Sequence, residues 1–527
     1  MHRSLRPIVV LMLFATLTTP LVADAQALAT PASPEAQTVP PPSAITAYSI
    51  DVTLNTETNQ IGGTESIDWR NTTGRAQTAL YLRLYPNADY YGEASTAVER
   101  MTVDGGSVTP APGDDPTLMK IPLGKTVAAD GSATISLRFT TNVPLGSNGS
   151  FGIFQLDPAN GVWSLADWYP ILAGWEPERK SWYTDAPTSF GDPTFSDVAT
   201  YAVKLTAPAS YAIASTGDVH GPTGSGDAPI TRTISTVPVR DFAMTLLPKT
   251  ESPQGQLVQK ERTVSGVDGA KPFTVRVSLL KSEAIPGLED AILAAATSAL
   301  PAYAGLLSEL PEDDLDITSA SLAGANGVSW SGLVWLDLST IIIDRTLSDQ
   351  EKIGLTFVVT HEVGHQWIGG LIGNNSNDHG FMTEGLTNAL ALDVLRETQG
   401  GEAAVDYLQA YVAGGYIALL RDGRDVIADA PITDDTNGVL RSLAIYGKAA
   451  LGFEVIRQDL GDEAFREAMR AYASAFAYGN ATPEDLLGEY TSAASPGEDV
   501  ASLWNVWFER QTTKLADVDP IIAGAGD

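Results

Sequence analysis

The sequence predicts an α+β protein, with a β-rich N-terminal saddle or sandwich domain followed by a mainly helical domain. Short segments in which apolar and polar residues alternate fill the first half of the chain, and turn-forming Gly, Asn, Asp and Pro separate them. From Ser348 onward almost the whole chain has a helical pattern instead. The length of 527 residues exceeds what one core normally supports, which agrees with more than one domain.

The alternating segments predict the strands of the first domain, which we assign to residues 44–250. Apolar side chains occupy every second position in the clearest of them, which are residues 48–54, 80–84, 135–139 and 201–205. The aromatic residues Trp163, Trp168 and Tyr169 fall between such segments, and we predict that they pack in the core rather than form a binding platform.

The second domain, residues 251–527, begins with one more strand pattern at residues 273–279. An Ala-rich helix is predicted at residues 288–299, and strand signals return at residues 333–343. The segment SDQE, residues 348–351, has a capping-box pattern directly before an apolar run. A helix is therefore predicted to begin there and to carry the residues that follow.

The N-terminal residues 1–25 have the three-part pattern of a secretory signal peptide. Two Arg precede an apolar run, and small residues provide a cleavage site before Gln26. Residues 26–43 are rich in Ala, Pro and Thr and are predicted to form a flexible spacer. No later stretch predicts a membrane span. We therefore expect a mature chain that is secreted, to the periplasm or to the outside of the cell.

Composition limits the possible partners. The net charge is −32, from 64 acidic and 32 basic residues, and such a surface repels nucleic acid and anionic lipid. The chain has no cysteine, so disulfides cannot support the fold. The sequence leaves the oligomeric state open.

The motif HEVGHQW predicts a metal centre. His361 and His365 are four residues apart, so a helix places them on one face, with Glu362 beside them. Glu384 follows after 18 further residues, beyond a Gly- and Asn-rich loop that can reverse the chain. Two His and one Glu around a single zinc ion leave a position for water, and Glu362 is placed to accept its proton. The alternative is a coincidental motif on an amphipathic helix, but the mature chain has only four histidines and the motif holds two of them.

Two polar residues near the motif have weaker signals. His379 lies in the connecting loop, and we predict a loop residue rather than a metal ligand. Asn388 lies four residues after Glu384 on the same helix face, from which it can orient a ligand.

Three segments together resemble the M1 family of zinc metallopeptidases, the gluzincins that include the aminopeptidase N-like enzymes. They are HEVGHQW, TEG at Glu384, and YGKAALGFEVIRQDLG, which begins at Tyr446, 62 residues beyond Glu384. YAIASTGDV and DFAMTLLP are similar to parts of that family's β-rich N-terminal domain. The resemblance implies a thermolysin-like catalytic domain, hydrolysis of peptide or protein substrates, and Tyr446 as the donor to the developing oxyanion.

The stretch NGVSWSGLVW departs from the family's Gly-x-Met-Glu-Asn segment, whose Glu binds the free amino terminus of the substrate. Alignment on the following Gly-Leu pair places Ser329 at the position of that Glu and Trp330 next to it. The resemblance then implies that Gly327, Val328, Ser329 and Trp330 line the substrate cleft.

Because a serine hydroxyl cannot neutralise an ammonium group, this departure leaves more than one function open. An M1-type aminopeptidase is the first expectation. An endopeptidase, or a peptidase of unusual terminal specificity, is the alternative within the same chemistry. A binding or scaffold protein that keeps the fold without catalysis is the alternative from another class.

Overall fold

The protein is described by a computed structural model, which covers residues 40, 44–146, 149–190, 194–249, 257–265, 271–342, 346–433 and 436–526. These residues all belong to one compact unit, Pro34–Asp527. The predicted signal peptide and the predicted spacer, except residue 40, lie outside the described residues. Both therefore stay predictions.

The N-terminal region is built mainly from strands, as predicted from the alternating segments. In chain order they are β1 (Thr46–Asn55), β2 (Gln60–Arg70), β3 (Gln77–Arg83), β4 (Ser95–Val103), β5 (Gly106–Ser107), β6 (Ala111–Pro112), β7 (Leu118–Val127), β8 (Ser132–Asn142), β9 (Phe154–Leu156), β10 (Trp163–Leu165), β11 (Ile171–Leu172), β12 (Trp175–Glu176), β13 (Ser181–Trp182), β14 (Ala199–Pro208), β15 (Tyr211–Ser215), β16 (Asp218–His220), β17 (Pro229–Ser235) and β18 (Met244–Pro248).

The largest sheet of this region has eight strands in the order β16-β17-β14-β1-β2-β8-β4-β5. β1 runs parallel to β14 and antiparallel to β2, so Tyr48 lies beside Tyr201 and Ile50 beside Val203. The other sheets described in this region are β15-β18-β10-β9, β11-β3-β7-β6 and the two-stranded β12-β13. Their apolar side chains join those of the large sheet in one core, which contains Trp163, Trp168 and Tyr169 as predicted.

The second region starts with a five-stranded sheet and continues as helices. The strands are β19 (Leu257–Val264), β20 (Phe273–Leu280), β21 (Asp314–Ser319), β22 (Gly327–Trp330) and β23 (Leu333–Leu336). The helices are α1 (Leu288–Leu306), α2 (Leu338–Ile341), α3 (Asp349–Gly364), α4 (Leu386–Gln399), α5 (Gly401–Tyr407), α6 (Gly414–Arg421), α7 (Gly438–Ser442), α8 (Ala449–Leu460), α9 (Asp462–Phe476), α10 (Pro483–Ala493), α11 (Val500–Trp504) and α12 (Leu515–Gly524). π-Helical turns continue four of them, at Phe381–Gly385, Leu408–Ala413, Leu443–Lys448 and Asn505–Glu509.

The sheet of the second region has the order β19-β20-β21-β23-β22, so β22 is an edge strand. β20, β21 and β23 run parallel, whereas β22 pairs antiparallel with β23. Helices α1, α3, α4 and α8 bury their apolar faces in a core shared with this sheet. The edge strand and α3 therefore come together at one side of the core.

Two predicted elements have different bounds in the structure. The strand predicted at residues 333–343 ends at Leu336, because Asp337 accepts a hydrogen bond from the Ser339 N–H and begins α2 instead. The helix predicted to end at residue 299 continues through Pro301 to Leu306. Burial of its last turn outweighs the low helix propensity of proline.

One helical run among the described residues, Gly401–Arg421, is long and apolar enough to be a candidate membrane span by length and composition alone. In the folded protein 44% of the most apolar part of this run is buried. Its residues Leu408, Ala413 and Tyr416 lie in the core of the helical region. This is how a core helix of a folded domain packs. The absence of a membrane span in the mature chain stays a prediction.

Arg240, just before β18, holds the two regions together. Its buried guanidinium donates to the Ser196 carbonyl at 2.7 Å on the β-rich side. On the helical side it donates to the Gly370 carbonyl at 3.0 Å, the Gly479 carbonyl at 2.7 Å and Asn480 Oδ1 at 2.6 Å. Because these acceptors leave few of its N–H groups unused, the buried charge is well solvated by the protein.

Candidate active site

A cleft of about 420 Å³ lies between the two regions. Its floor is the end of α3, and the edge strand β22 and the turn that carries Tyr446 form two of its walls. All nine site residues predicted from the sequence line this cleft: Gly327, Val328, Ser329, Trp330, His361, Glu362, His365, Glu384 and Tyr446.

The two histidines and Glu384 converge on one point. His361 Nε2 and His365 Nε2 are 3.0 Å apart, and Glu384 Oε2 lies 3.3 Å and 3.5 Å from them. Ligands bound at zinc–ligand distances of about 2.05 Å in a tetrahedral site are roughly 3.3 Å from each other. These three residues therefore fit a zinc ion by both donor type and spacing, and they form a three-ligand group that leaves a fourth position open.

Helix α3 positions the histidines at its C-terminal end. The helix begins with the predicted capping box, in which the Ser348 N–H donates to Glu351 at 2.9 Å. It ends at Gly364, and His365 follows with helical φ and ψ of −67° and −11°. The two imidazoles consequently remain one turn apart and share a face.

Hydrogen bonds to neighbouring main-chain carbonyls orient His365 and the turn that carries Tyr446. His365 Nδ1–H donates to the Ile368 carbonyl at 2.9 Å, which directs Nε2 at the shared point. Asn388 was predicted to orient a ligand; its amide donates at 3.0 Å to the main-chain carbonyl of Tyr446. Asn388 thereby fixes the turn that carries the phenol.

The ionisation of the three ligands is coupled to metal binding. Burial lowers the pKa of His365, but the Glu384 carboxylate outweighs it and raises the pKa to about 9. Burial raises the pKa of Glu384, but the charge and hydrogen bonds of the two histidines bring it well below its usual range. Burial lowers the pKa of His361, so a metal ion that enters must displace the proton of the His365 imidazolium, and its binding is coupled to pH.

Glu362 has the environment of a general base. Its Oε2 is buried and has no hydrogen-bond partner among the described residues. Burial raises the pKa of Glu362 to about 8, and a dication held by the neighbouring ligands would lower it. A buried carboxylate oxygen without a partner, beside a metal-ligand group, is placed to accept a hydrogen bond from water.

Gly327 is the residue that makes room for Glu362. A Cβ atom added at this position would lie 2.5 Å from Glu362 Oε1 and 2.7 Å from its Cδ. The absence of a side chain in the first residue of β22 therefore sets where the carboxylate can lie.

We expect Gly327→Ala to lower kcat by about 100-fold, because displacing a reacting group by an ångström costs that much. The backbone of Gly327 does not have a positive φ, so alanine is tolerated by the main chain itself. Steady-state kinetics and a thermal melt check this result. Gly305→Ala is the matched control, because a Cβ there meets nothing within 4 Å; equal activity of the two variants would contradict the packing argument.

Ser329 is tied to the metal-ligand helix. Its hydroxyl donates to the Glu362 main-chain carbonyl at 2.8 Å and accepts from Gln366 Nε2 at 3.1 Å. Gln366 also donates to the Trp330 carbonyl at 3.1 Å and accepts from the Gly332 N–H at 2.8 Å. The Ser329 side chain thus connects β22 to α3 and offers no charge to a substrate.

The role of Gln366 is not apparent from the sequence. The residue lies within HEVGHQW, but nothing in the sequence indicates that its amide reaches the edge strand. Trp330 is 6% exposed and packs on Trp335, with ring centroids 4.1 Å apart. Most of its ring therefore belongs to a core, and an edge contributes to the cleft wall.

Tyr446 lies in the π-helical turn Leu443–Lys448, across the cleft from α3. Its ring centroid is 6.2 Å from that of His361. Burial, followed by the charges of Glu384 and Glu362, raises the pKa of Tyr446 well above its ordinary value. The phenol therefore stays protonated and can donate a hydrogen bond into the cleft.

His379 lies outside the metal-ligand group, in the loop before the turn that carries Glu384. Its Nδ1 pairs with Asp429 at 2.8 Å, and its Nε2 pairs with Glu178 of the β-rich region at 3.2 Å. Burial lowers the pKa of His379, but the hydrogen bond and charge of Asp429 and the charge of Glu178 raise it to about 9. The imidazolium is a charged link between the two regions.

This link predicts a pH-dependent stability. Folding raises the pKa of His379 from 6.5 to about 9. The charged link therefore adds up to about 3 kcal/mol to the free energy of unfolding below pH 6.5, and this contribution is lost as the pH rises toward 9. We expect His379→Gln to be less stable than the unsubstituted protein at pH 6 but nearly equal to it above pH 9. Urea unfolding at several pH values measures the difference. His220→Gln, at an exposed histidine, is the control; a pH-independent loss in His379→Gln would exclude the charged link.

The site combines a helix that carries two histidines with a glutamate from the next helical segment, a buried glutamate and a facing tyrosine. These groups define a metallohydrolase centre on a thermolysin-like scaffold. The comparisons with known proteins agree. Residues 320–507 match the model described as "Peptidase family M1 domain". The chain therefore carries an M1 peptidase domain.

The similarity to individual relatives is concentrated in this domain. "Aminopeptidase N" of Lactococcus lactis subsp. lactis is 26% identical over 185 residues, which are 34% of this chain and 21% of the relative. "Aminopeptidase 2, mitochondrial" of Saccharomyces cerevisiae is 27% identical over 212 residues, 39% of this chain and 21% of the relative. The match thus spans about a fifth of the length of each relative.

The fold as a whole resembles a solved structure. The M1 zinc metallopeptidase of Deinococcus radiodurans superposes with a TM-score of 0.62 at 17% identity, over 89% of this chain and 94% of that chain. A mutant of that protein has been described with a bound Tyr-Ser-Ala substrate, and it superposes with a TM-score of 0.60 at 15% identity. The predicted β-rich domain followed by a thermolysin-like, mainly helical domain is confirmed. The boundary at residues 250 and 251 stays a prediction.

Proposed function

We propose that this protein is a secreted zinc-dependent peptidase that acts as an M1-type aminopeptidase. The observation that carries the proposal is the convergence of His361, His365 and Glu384 on one point, with Glu362 and Tyr446 facing it from two sides. The donor set and its spacing fit one zinc ion per chain. The M1 domain match and the names of the aminopeptidase relatives support the same activity.

Each catalytic residue has a role that follows from its position. A bound zinc ion would polarise the scissile carbonyl and lower the pKa of water in the cleft. Glu362 accepts a proton from the attacking water and later passes it to the leaving amine. Tyr446 donates a hydrogen bond to the oxygen on which negative charge develops.

The edge strand β22 is suited to hold the substrate chain. Its four residues line the cleft, and an extended peptide can pair with the unpaired edge of a sheet. Because Ser329 is bonded to α3, the charge for a substrate ammonium group must come from another residue. Of the described residues that line the cleft, Asp241 is the one carboxylate besides Glu362 and Glu384. It accepts a hydrogen bond at 3.0 Å from the Ser331 N–H, next to β22.

A timed digest of peptides with free and N-acetylated amino ends tests the proposal. Mass spectrometry of the products, with a chelator-treated sample as the control, distinguishes the possibilities. We expect ladders that shorten from the free amino end, untouched acetylated peptides and no cleavage after chelation. Internal cuts in both sets would instead establish an endopeptidase, the alternative that Ser329 favours.

Zinc content without any turnover would overturn the peptidase proposal and establish the scaffold alternative. Secretion is a separate proposal that rests on residues 1–25 alone. It is tested by expressing the full chain and determining the N-terminal residue of the exported protein, which we expect to be Gln26. Retention of residues 1–25 on a cell-associated protein would contradict it.

A further inference from the structure

Positive charge is scarce in the cleft. Besides the two histidines of the metal-ligand group, the described residues that line it include two arginines, Arg240 and Arg441, and neither arginine forms an ion pair within the described ranges. Arg240 is buried behind the cleft and is bonded to three carbonyls and an amide oxygen. Outside the metal-ligand group, Arg441 is therefore the basic side chain of the described cleft lining that is available to a bound molecule.

Two main-chain carbonyls hold the Arg441 guanidinium in place. Nη1 donates to the Ala430 carbonyl at 2.7 Å, and Nη2 donates to the Ser376 carbonyl at 3.0 Å. A guanidinium has five N–H donors, so further donors remain for a ligand. Carbonyl oxygens orient the group but do not neutralise its charge. The carboxylates of Glu384, Asp378 and Asp429 act on this charge without an ion pair to it within the described ranges. A guanidinium fixed in this way is suited to bind a carboxylate in two-pronged geometry.

The guanidinium lies close to the catalytic residues. A Cβ atom added at Gly380 would be 2.7 Å from Arg441 Nη2, so glycine at this position makes room for it. Gly380 precedes Glu384 by four residues on one helical segment, and Arg441 precedes Tyr446 by five residues on another. Since one helical turn rises about 5.4 Å, Gly380 is about one turn from the metal ligand Glu384, and the Arg441 charge beside Gly380 lies in the same part of the cleft.

Short peptides fit this arrangement. A residue of extended peptide spans about 3.3 to 3.6 Å, so one or two residues beyond the scissile bond bring a terminal carboxylate to a group about one helical turn away. Asp241 lies beside β22, whereas Arg441 belongs to the helical wall. The cleft thus offers a carboxylate and a guanidinium on different walls, which matches the two charged ends of a dipeptide or tripeptide.

We propose that Arg441 binds the terminal carboxylate of the substrate, so that the enzyme prefers dipeptides and tripeptides with a free carboxyl end. This inference rests on the proposed peptidase function. Hydrogen bonds to a charged partner are strong enough for a preference of about 10- to 100-fold in kcat/KM.

The test compares Ala-Phe and Ala-Ala-Phe with their C-terminal amides, which lack the negative charge. For the unsubstituted zinc-loaded protein we expect kcat/KM to be at least about 10-fold higher for the acids. In Arg441→Gln the ratio of acid to amide should fall close to one, because kcat/KM falls more for the acids than for the amides. Arg441→Lys should keep part of the ratio. Arg424→Gln, at an exposed arginine outside the cleft, is the matched control.

Two results would overturn the inference. One is an equal rate for acids and amides in the unsubstituted protein, a comparison that needs no variant to fold. The other is an equal loss for acids and amides in Arg441→Gln, which would show that the guanidinium only supports the loops at Ser376 and Ala430.

Failure of the proposed function is measured separately. Calorimetric titration of Ala-Phe and its amide into the Glu362→Gln variant reports binding without hydrolysis. Tighter binding of the acid, without turnover by the unsubstituted protein, would support Arg441 and reject the peptidase. If the unsubstituted protein hydrolysed acids and amides at equal rates, and the variant bound Ala-Phe and its amide equally, the peptidase function would be supported and the role of Arg441 rejected.

Discussion

Glu362→Gln is expected to lower kcat by at least about 1000-fold while the zinc content of the protein stays the same. The amide has nearly the shape of the carboxylate but cannot accept the proton of the attacking water. The metal ligands are untouched, since His361, His365 and Glu384 provide the donor atoms. The buried Oε2 of Glu362 has no hydrogen-bond partner among the described residues, so the substitution removes no internal contact.

The measurement combines kinetics on a free-amino peptide, metal analysis of the purified protein and a thermal melt. Glu467→Gln is the matched control, because it makes the same substitution at an exposed position of α9. Activity of Glu362→Gln within 10-fold of the control, at equal zinc content, would remove Glu362 from the mechanism.

The sequence alone predicts the parts of the site that depend on local geometry. The spacing of His361 and His365 is a property of one helical turn, and the capping box at Ser348 fixes where that helix begins. The strands of the N-terminal region can also be predicted from the sequence, because burial of one face of a sheet makes apolar and polar residues alternate. The predicted role of Tyr446 depends on the family resemblance, because no local pattern distinguishes this tyrosine from the other 16.

The parts that the sequence does not predict depend on contacts between distant segments. Ser329 is bonded to a helix 33 residues further along the chain, and the guanidinium of Arg441 reaches a carbonyl 65 residues before it. The proximity of Gly327 to the Glu362 carboxylate likewise exists only after β22 and α3 pack together. Contacts between such distant residues leave no periodic pattern or fixed spacing in the sequence. The residues that support the site can therefore be recognised only in the folded structure.

Tyr446→Phe is expected to lower kcat by about 100- to 1000-fold and to change KM little, because the lost hydrogen bond forms mainly as negative charge develops. The fold should be kept. The main-chain carbonyl of Tyr446 remains bonded to Asn388, and phenylalanine retains the ring. Tyr411→Phe is the matched control, since Tyr411 also lines the cleft but its hydroxyl accepts from Gln350 at 2.8 Å, away from the metal ligands. If both variants lost activity equally, or if Tyr446→Phe changed only KM, Tyr446 would bind substrate without stabilising the oxyanion, and the donor would have to be sought elsewhere in the cleft.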